Sequence, residues 1–177
     1  MPGSREYLDH VKDENVCTVC ERHFESPSNL KSVSGVGRDT CNKMSLNIPQ
    51  HELVHLRPSI ECYGCPRKFT TYSGMVIHLE TGNCDSGVDI IDINESAAMC
   101  YQWRSYLDED YRDEMLQCVD LKEEYAGTVY PFECAQCEAS FPKLSALFQH
   151  VESSSCEQDL DGKAMLKLMT WLKKRHA

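Results

Sequence analysis

The amino-acid sequence predicts a small α+β fold made of tandem ββα modules, each closed on one metal ion, together with further helices. Three observations lead to this prediction: 11 cysteines and 7 histidines in 177 residues, a Cys/His spacing that occurs twice, and acidity confined to one segment. Cysteine and histidine at this density indicate metal binding. No N-terminal signal-like stretch or membrane-length apolar run is found, so an intracellular reducing setting without membrane contact is expected, and disulfides are the weaker interpretation.

Two segments, residues 62–84 and 134–156, share one spacing of potential metal ligands. Each has the pattern Cys-x2-Cys-x12-His-x5-Cys. A cysteine pair on the turn between two short strands, completed by a histidine and a cysteine from a following helix, gives four zinc ligands in a tetrahedron. Both segments are therefore predicted to be C2HC versions of the C2H2 zinc finger. The predicted ligands are Cys62, Cys65, His78 and Cys84 in one finger, and Cys134, Cys137, His150 and Cys156 in the other.

Apolar residues between the ligands also recur, as Phe69 and Met75 in one finger and Phe141 and Leu147 in the other. They are predicted to fill a very small core. A module this short cannot bury enough apolar surface to fold alone, so zinc has to supply the folding free energy. Two zinc ions are expected from these fingers.

A further finger is predicted over residues 17–55, interrupted by an insert at 33–50. Without the insert, Cys17, Cys20, His51 and His55 have the complete C2H2 spacing. The longer loop costs only about 0.8 kcal/mol of closure entropy, but glycines in the insert break the helix. We expect an impaired site and leave a third zinc ion open. The insert is either a loop or a retained short intron, since its ends can be encoded as GTN-AGT and CAG.

The residues from His51 to His55 also match the H-E-x-x-H pattern of zinc metalloproteases. In that pattern, Glu52 would be the general base. Pro49 permits no long preceding helix, and both histidines are already accounted for by the finger spacing. A catalytic zinc keeps one position open for water, whereas each site here has four protein ligands. The chain is therefore predicted not to be an enzyme, with a metalloprotease as the distant alternative.

The acidity lies in a connector, residues 85–133, which contains 13 acidic and three basic residues. Its net charge equals the -10 of the whole chain, so the charges of the other residues cancel. An amphipathic helix is predicted there from about Glu95 to Tyr125. It either packs on a finger or on the C-terminal helix, or it binds a protein partner. Cys100 and Cys118 are predicted to be buried thiols. A second amphipathic helix is expected within residues 157–177, from about Asp159 to Lys174, and residues 1–16 are expected to be disordered.

Finger helices that read DNA do so from helix positions -1, 3 and 6. Few of the side chains at these positions are good base readers, and the basic residues nearby are few. Specific DNA binding is therefore disfavoured, while DNA or RNA both remain open as partners. The three positions are Ser26, Asn29 and Ser32 in the interrupted finger, Thr71, Gly74 and Ile77 in the next, and Lys143, Ala146 and Gln149 in the last.

The Cys17–Cys20 pair with Phe24 and Leu30, the C2HC repeats, and the stretch Ala97–Trp103 together resemble fungal C2H2-type zinc-finger domain-containing proteins. The resemblance implies zinc binding and a nuclear location. It covers most of the chain except residues 33–50. The function expected first is that of a nuclear nucleic-acid-binding or regulatory factor. The alternative is a protein-interaction adaptor that uses its fingers and acidic helix.

Overall fold

The computed structural model describes residues 57–153 and 156–177. The residues from Ile60 to Ala177 belong to one compact unit. The predictions for the N-terminal segment 1–16, for the insert 33–50 and for the ligands Cys17, Cys20, His51 and His55 lie outside the described residues. The described part has a small α+β fold with two two-stranded sheets and six α-helices.

The first structural module comprises strands β1 (Ile60–Glu61) and β2 (Lys68–Phe69) and helix α1 (Tyr72–Glu80). The strands are antiparallel, with Ile60 opposite Phe69. Helix α1 begins after Thr71, whose hydroxyl accepts a hydrogen bond from the Gly74 amide at 3.0 Å. This N-cap satisfies an amide that has no partner within the helix.

The acidic connector contains three α-helices rather than the single helix predicted from about Glu95 to Tyr125, so that prediction is wrong. Its helices are α2 (Ile90–Met99), α3 (Arg112–Leu116) and α4 (Leu121–Glu124), with 3-10 turns at Trp103–Ser105 and Glu109–Tyr111. Asp108 and Asp120 accept bonds from backbone amides two residues ahead. Aspartates in this role compete with a continuous helix and start new turns.

The second module repeats the first, with strands β3 (Phe132–Glu133) and β4 (Ser140–Phe141) and helix α5 (Leu144–Glu152). Phe132 lies opposite Phe141. The strands and the helix of this module have the same lengths and the same spacing along the chain as their counterparts in the first module. The final helix, α6 (Lys163–His176), begins and ends later than the predicted Asp159–Lys174.

Helices α1 and α5 pack against one another and form the centre of the fold. Their contact faces are apolar, and the rings of Tyr72 and Phe148 have centroids 4.5 Å apart. Burial of these side chains is the main favourable term that holds the modules together. The fully or almost fully buried side chains here are Met75, Val76 and Leu79 on α1 and Leu144, Leu147 and Phe148 on α5.

Helix α2 packs against both α1 and α6. The indole Nε1 of Trp171 donates to the Ser96 carbonyl oxygen at 2.8 Å, and Arg175 forms an ion pair with Glu95. Leu107 bridges to Phe132, so the connector also joins the second sheet. These contacts favour the packing interpretation of the first connector helix.

Candidate metal centres

The first cluster contains the four side chains Cys62, Cys65, His78 and Cys84, whose potential ligand atoms all lie within 4.8 Å of one another. Strands β1 and β2 present the cysteine pair, and the Cys62 amide donates to the Arg67 carbonyl oxygen at 2.8 Å to close the turn. His78 lies in the last turn of α1. Sequence spacing and folding therefore bring the predicted four residues together.

The second cluster contains Cys134, Cys137, His150 and Cys156, also within 4.8 Å. Its distances match those of the first cluster. The Cys134 and Cys156 Sγ atoms lie 3.7 Å apart, as do those of Cys62 and Cys84. In both clusters the remaining Sγ lies 3.3 Å from the histidine Nε2.

These distances fit a tetrahedral zinc ion. With Zn–S bonds of about 2.3 Å, two sulfurs of a regular tetrahedron are about 3.8 Å apart. The observed 3.7 Å is close to this edge, whereas a disulfide would require about 2.05 Å. Three thiols and one imidazole are also soft and borderline donors of the kind that zinc prefers. Each cluster can therefore hold a metal ion, and its donors are compatible with zinc.

The protonation of the first cluster affects how a metal enters it. Burial raises the pKa of the Cys62 thiol to about 11, so this thiol is protonated at neutral pH in the metal-free chain. Burial, and then the charge of Arg67, lowers the pKa of His78 and favours the neutral imidazole that a metal requires. Metal binding must displace the Cys62 proton, which makes affinity fall as the pH falls.

Aromatic rings lie beside both histidines. The Phe69 ring is 5.2 Å from the His78 ring, and the Phe141 ring is 4.9 Å from the His150 ring, between centroids. Met75 and Leu147 are fully buried beneath them. Met75 and Leu147 are thus buried as expected and Phe69 and Phe141 are half-buried, but all four belong to one shared core rather than to a separate small core in each module.

A pair of carboxylates links the two modules, and sequence reasoning missed it. Glu80, at the end of α1, accepts bonds from the Ser145 amide at 2.9 Å and from the Ser145 hydroxyl at the start of α5. Glu152, at the end of α5, accepts bonds from the Tyr72 and Ser73 amides at 2.6 and 3.1 Å at the start of α1. We call these two side chains the reciprocal carboxylate caps.

The reciprocal carboxylate caps make α1 and α5 antiparallel, because each helix end touches the start of the other. A carboxylate at a helix N-terminus is favoured by the free amides and by the helix dipole. Glu80 and Glu152 occupy equivalent positions of the two modules, as do Ser73 and Ser145. This repetition outside the metal ligands is the only sequence feature that pointed to the four residues, and it does not indicate which of them contact each other.

Cys118 is exposed and not buried as predicted, whereas Cys100 is buried. Cys118 has a φ of 57° at the break between α3 and α4, which turns it away from the core. Neither cysteine belongs to the two clusters.

Comparisons of the chain with protein-family models, curated protein sequences and solved structures found no match. None of the helices in the described residues combines the length and apolar character needed to cross a membrane.

Proposed function

We propose that the chain is a zinc-binding, non-enzymatic protein in which two C2HC fingers are fused into one protein-interaction module. The observation that carries this proposal is the pairing of α1 with α5, which joins the two Cys/His clusters through one apolar core. In a C2HC finger, each cluster would be a structural zinc site. The metal would supply folding energy, and the paired scaffold would present its surface to a partner.

The donor count supports a structural role for the metal. Each described cluster offers three thiols and one imidazole, which fills a tetrahedral coordination sphere. A hydrolytic zinc needs a position for water, and four protein donors leave none. We therefore propose no catalytic activity for these sites.

The helix pairing supports a protein partner over base reading. A major groove about 12 Å wide admits one helix, whose diameter is about 10–12 Å. Here Tyr72 and Ser73 at the start of α1, and Leu144 and Ser145 at the start of α5, are buried between the modules. With these residues buried between the modules, insertion of one helix N-terminus alone is disfavoured, although the base-reading positions Ile77, Lys143 and Gln149 stay exposed.

Nucleic-acid binding without base reading is the second candidate, together with the nuclear location implied by the resemblance. The observation that favours it is the exposure of Lys163, Lys167, Lys173 and Lys174 on α6. Such lysines can contact phosphates irrespective of sequence. The acidic connector on the same unit opposes this attraction.

Zinc stoichiometry tests the metal half of the proposal. Native mass spectrometry of the reduced full chain should find at least two zinc ions, with Cys65→Ser and Cys137→Ser each removing one. Cys118→Ser is the matched control, because this exposed cysteine lies outside both clusters, and it should keep the full count. Fewer than two ions in the unchanged protein would refute the proposal.

Salt-dependent binding separates the two candidates. Fluorescence polarisation with labelled duplex DNA and double-stranded RNA should show only weak association that disappears at physiological salt. A tight complex with a steep salt slope, abolished when Lys163, Lys167, Lys173 and Lys174 are changed to Gln, would favour the nucleic-acid candidate. Imaging of the tagged chain in its source cells tests the nuclear location separately.

A further inference from the structure

Trp103 lies just after α2 and is contacted by two guanidinium groups. The Cζ of Arg104 is 4.4 Å from the indole ring centroid, and the Cζ of Arg112 is 4.5 Å from it. Trp103 itself is only 8% exposed. Cation–π attraction holds each guanidinium near the ring, so one side chain gathers two of the three positive charges of the acidic connector.

The two arginines are only weakly compensated by acidic groups. Arg104 lies 3.6 Å from Glu109, but both side chains are about three-quarters exposed, and such pairs contribute little. The Arg112 Nε donates to the Ala98 carbonyl oxygen at 3.2 Å. Among the described residues, Arg112 has no carboxylate within ion-pair distance. The exposed Arg104 guanidinium, with only a weak partner in Glu109, is thus open to an anionic group.

An open pocket of about 470 Å³ lies at this position. Besides Trp103 and the two arginines, it is lined by Met99 and Tyr101. Tyr101 is 93% exposed and Met99 is 43% exposed, which is unusual for large apolar side chains. Tyr, Trp, Met and Arg are the residue types enriched in protein interfaces. We refer to this site as the Trp103 pocket.

We propose that the Trp103 pocket binds a peptide segment of another protein that carries one anionic side chain next to an aromatic one. The inference rests on the proposed function as an interaction module and names its contact site. The carboxylate or phosphate of the peptide pairs with the exposed Arg104 guanidinium, whose donors match its oxygens. The aromatic ring of the peptide covers Tyr101 and Met99.

The sequence around the two arginines is acidic, which favours a ligand with a single anionic group over a polyanion. Asp108, Glu109, Asp110 and Asp113 lie on the segment between and beside the two arginines. A nucleic-acid strand carries one charge per phosphate and would be repelled by these carboxylates. A peptide with one negative side chain gains the Arg104 contact and meets much less repulsion.

The test uses the full-length, zinc-loaded chain and four probes. Three are capped tetrapeptides, Ala-Glu-Phe-Ala, Ala-phosphoserine-Phe-Ala and the neutral Ala-Gln-Phe-Ala, and the fourth is a short oligothymidylate. The readout is the indole N–H signal of Trp103 in a nitrogen–proton NMR spectrum. The chain has two tryptophans, and the Trp171 indole, which donates to Ser96, reports on the intact fold.

A saturable chemical-shift change of the Trp103 signal is expected with the Glu or phosphoserine peptide. The peptide that binds more tightly identifies the preferred anionic group. The Gln peptide should bind at least about tenfold more weakly, because it lacks the charge-assisted bonds. The exposed Arg104→Gln change should cause a similar loss without unfolding. Lys122→Gln, which removes the third cation of the connector, is the matched control and should bind as the unchanged chain does.

Three outcomes would overturn the proposal. They are equal binding of the Glu, phosphoserine and Gln peptides, unchanged binding by Arg104→Gln, or tighter binding of oligothymidylate at the Trp103 signal. Failure of all peptides in a chain that still holds its zinc ions would reject the Trp103 pocket alone. Loss of the zinc ions themselves would instead reject the proposed function.

Discussion

The two Cys/His clusters have the same donors, the same spacing and the same distances, yet they differ in exposure. In the first cluster, Cys62, His78 and Cys84 are buried. In the second, only Cys134 is buried, while Cys137 is exposed. The ligand pattern therefore determines how a metal can be held, whereas the residues around it determine how far water and competing ligands can reach.

The residues that follow Cys84 account for much of the difference. They turn back at Gly87, whose φ is +76° and whose amide donates to the Cys84 carbonyl oxygen at 3.0 Å. This turn places Ser86 directly against Gly64, where a methyl group would overlap the serine side chain. At the corresponding position of the second cluster the chain has Gln136, which is exposed. This close approach at Gly64 thus distinguishes the first cluster from the second, where Gln136 is exposed.

The largest effect is expected from removing zinc from both clusters. Binding at a structural site contributes roughly 10–16 kcal/mol, which exceeds the typical total stability of a small domain. Chelation of the reduced protein should therefore abolish most of its helical circular dichroism signal, and zinc should restore it. A chelated chain that keeps its full helical signal would show that the α1–α5 core folds without metal.

Gly64→Ala should destabilise the first site while leaving the second in place. The new methyl group would overlap Ser86 and lie 3.2 Å from the Cys84 Sγ. Such overpacking typically costs about 1–3 kcal/mol. Chelator titration followed by native mass spectrometry should show earlier loss of one zinc ion.

Gln136→Ala is the matched control for Gly64→Ala, because it trims an exposed side chain at the equivalent position. It should leave both zinc affinities unchanged. If Gly64→Ala also leaves them unchanged, the contact between Gly64 and Ser86 does not control the first site.

The reciprocal carboxylate caps should respond differently to Ala and to Gln. Glu80→Ala should cost about 2–3 kcal/mol of unfolding free energy and Glu152→Ala about 1–2, from lost charge-assisted bonds. Helix α1 keeps its cap from Thr71, whereas Lys143 gives α5 no side-chain cap. Urea unfolding in excess zinc measures both values.

For the Gln variants we expect the opposite order, with Glu152→Gln losing more unfolding free energy than Glu80→Gln. Both partners of Glu152 are backbone amides, so one of them would face the amide group of Gln without an acceptor. Glu80 contacts one amide and one hydroxyl, and a hydroxyl can accept from Gln. Burial raises the pKa of Glu80 because the buried site disfavours its ionised form, and Glu80→Gln removes that penalty. The same order for Ala and Gln would contradict these contacts.

The smallest effect is expected in the rate of metal exchange. Because Cys137 is exposed and His150 and Cys156 are half-buried, a chelator can approach the second site more easily. We expect zinc to leave this site about tenfold faster, a difference of about 1.4 kcal/mol in activation free energy. Isotopically labelled zinc and time-resolved native mass spectrometry would measure it, with Cys65→Ser and Cys137→Ser distinguishing the sites. Equal rates would mean that ligand exposure does not limit exchange.

The spacing of cysteine and histidine was sufficient to predict which eight described side chains meet in two clusters. Such spacing is informative because the turn, the strands and the helix between the ligands are all local and short. The connector was predicted less well. The spacing of its apolar residues suggested one helix, but aspartate caps and the positive φ of Cys118 divide the segment into shorter helices. Contacts of Trp103 and Leu107 stabilise these shorter helices.

The donor sets, the repeat of the two modules and the acidity of the segment between them could all be predicted from the amino-acid order. Three features became visible only in the folded chain: α1 and α5 pair antiparallel, Glu80 and Glu152 cap opposite helices, and two arginines contact Trp103. The physical reason is the distance along the chain. Successive ligands of one cluster are joined by a single short turn or helix, whereas each carboxylate cap joins residues on opposite sides of the whole connector. No local pattern specifies which of such distant surfaces pack together.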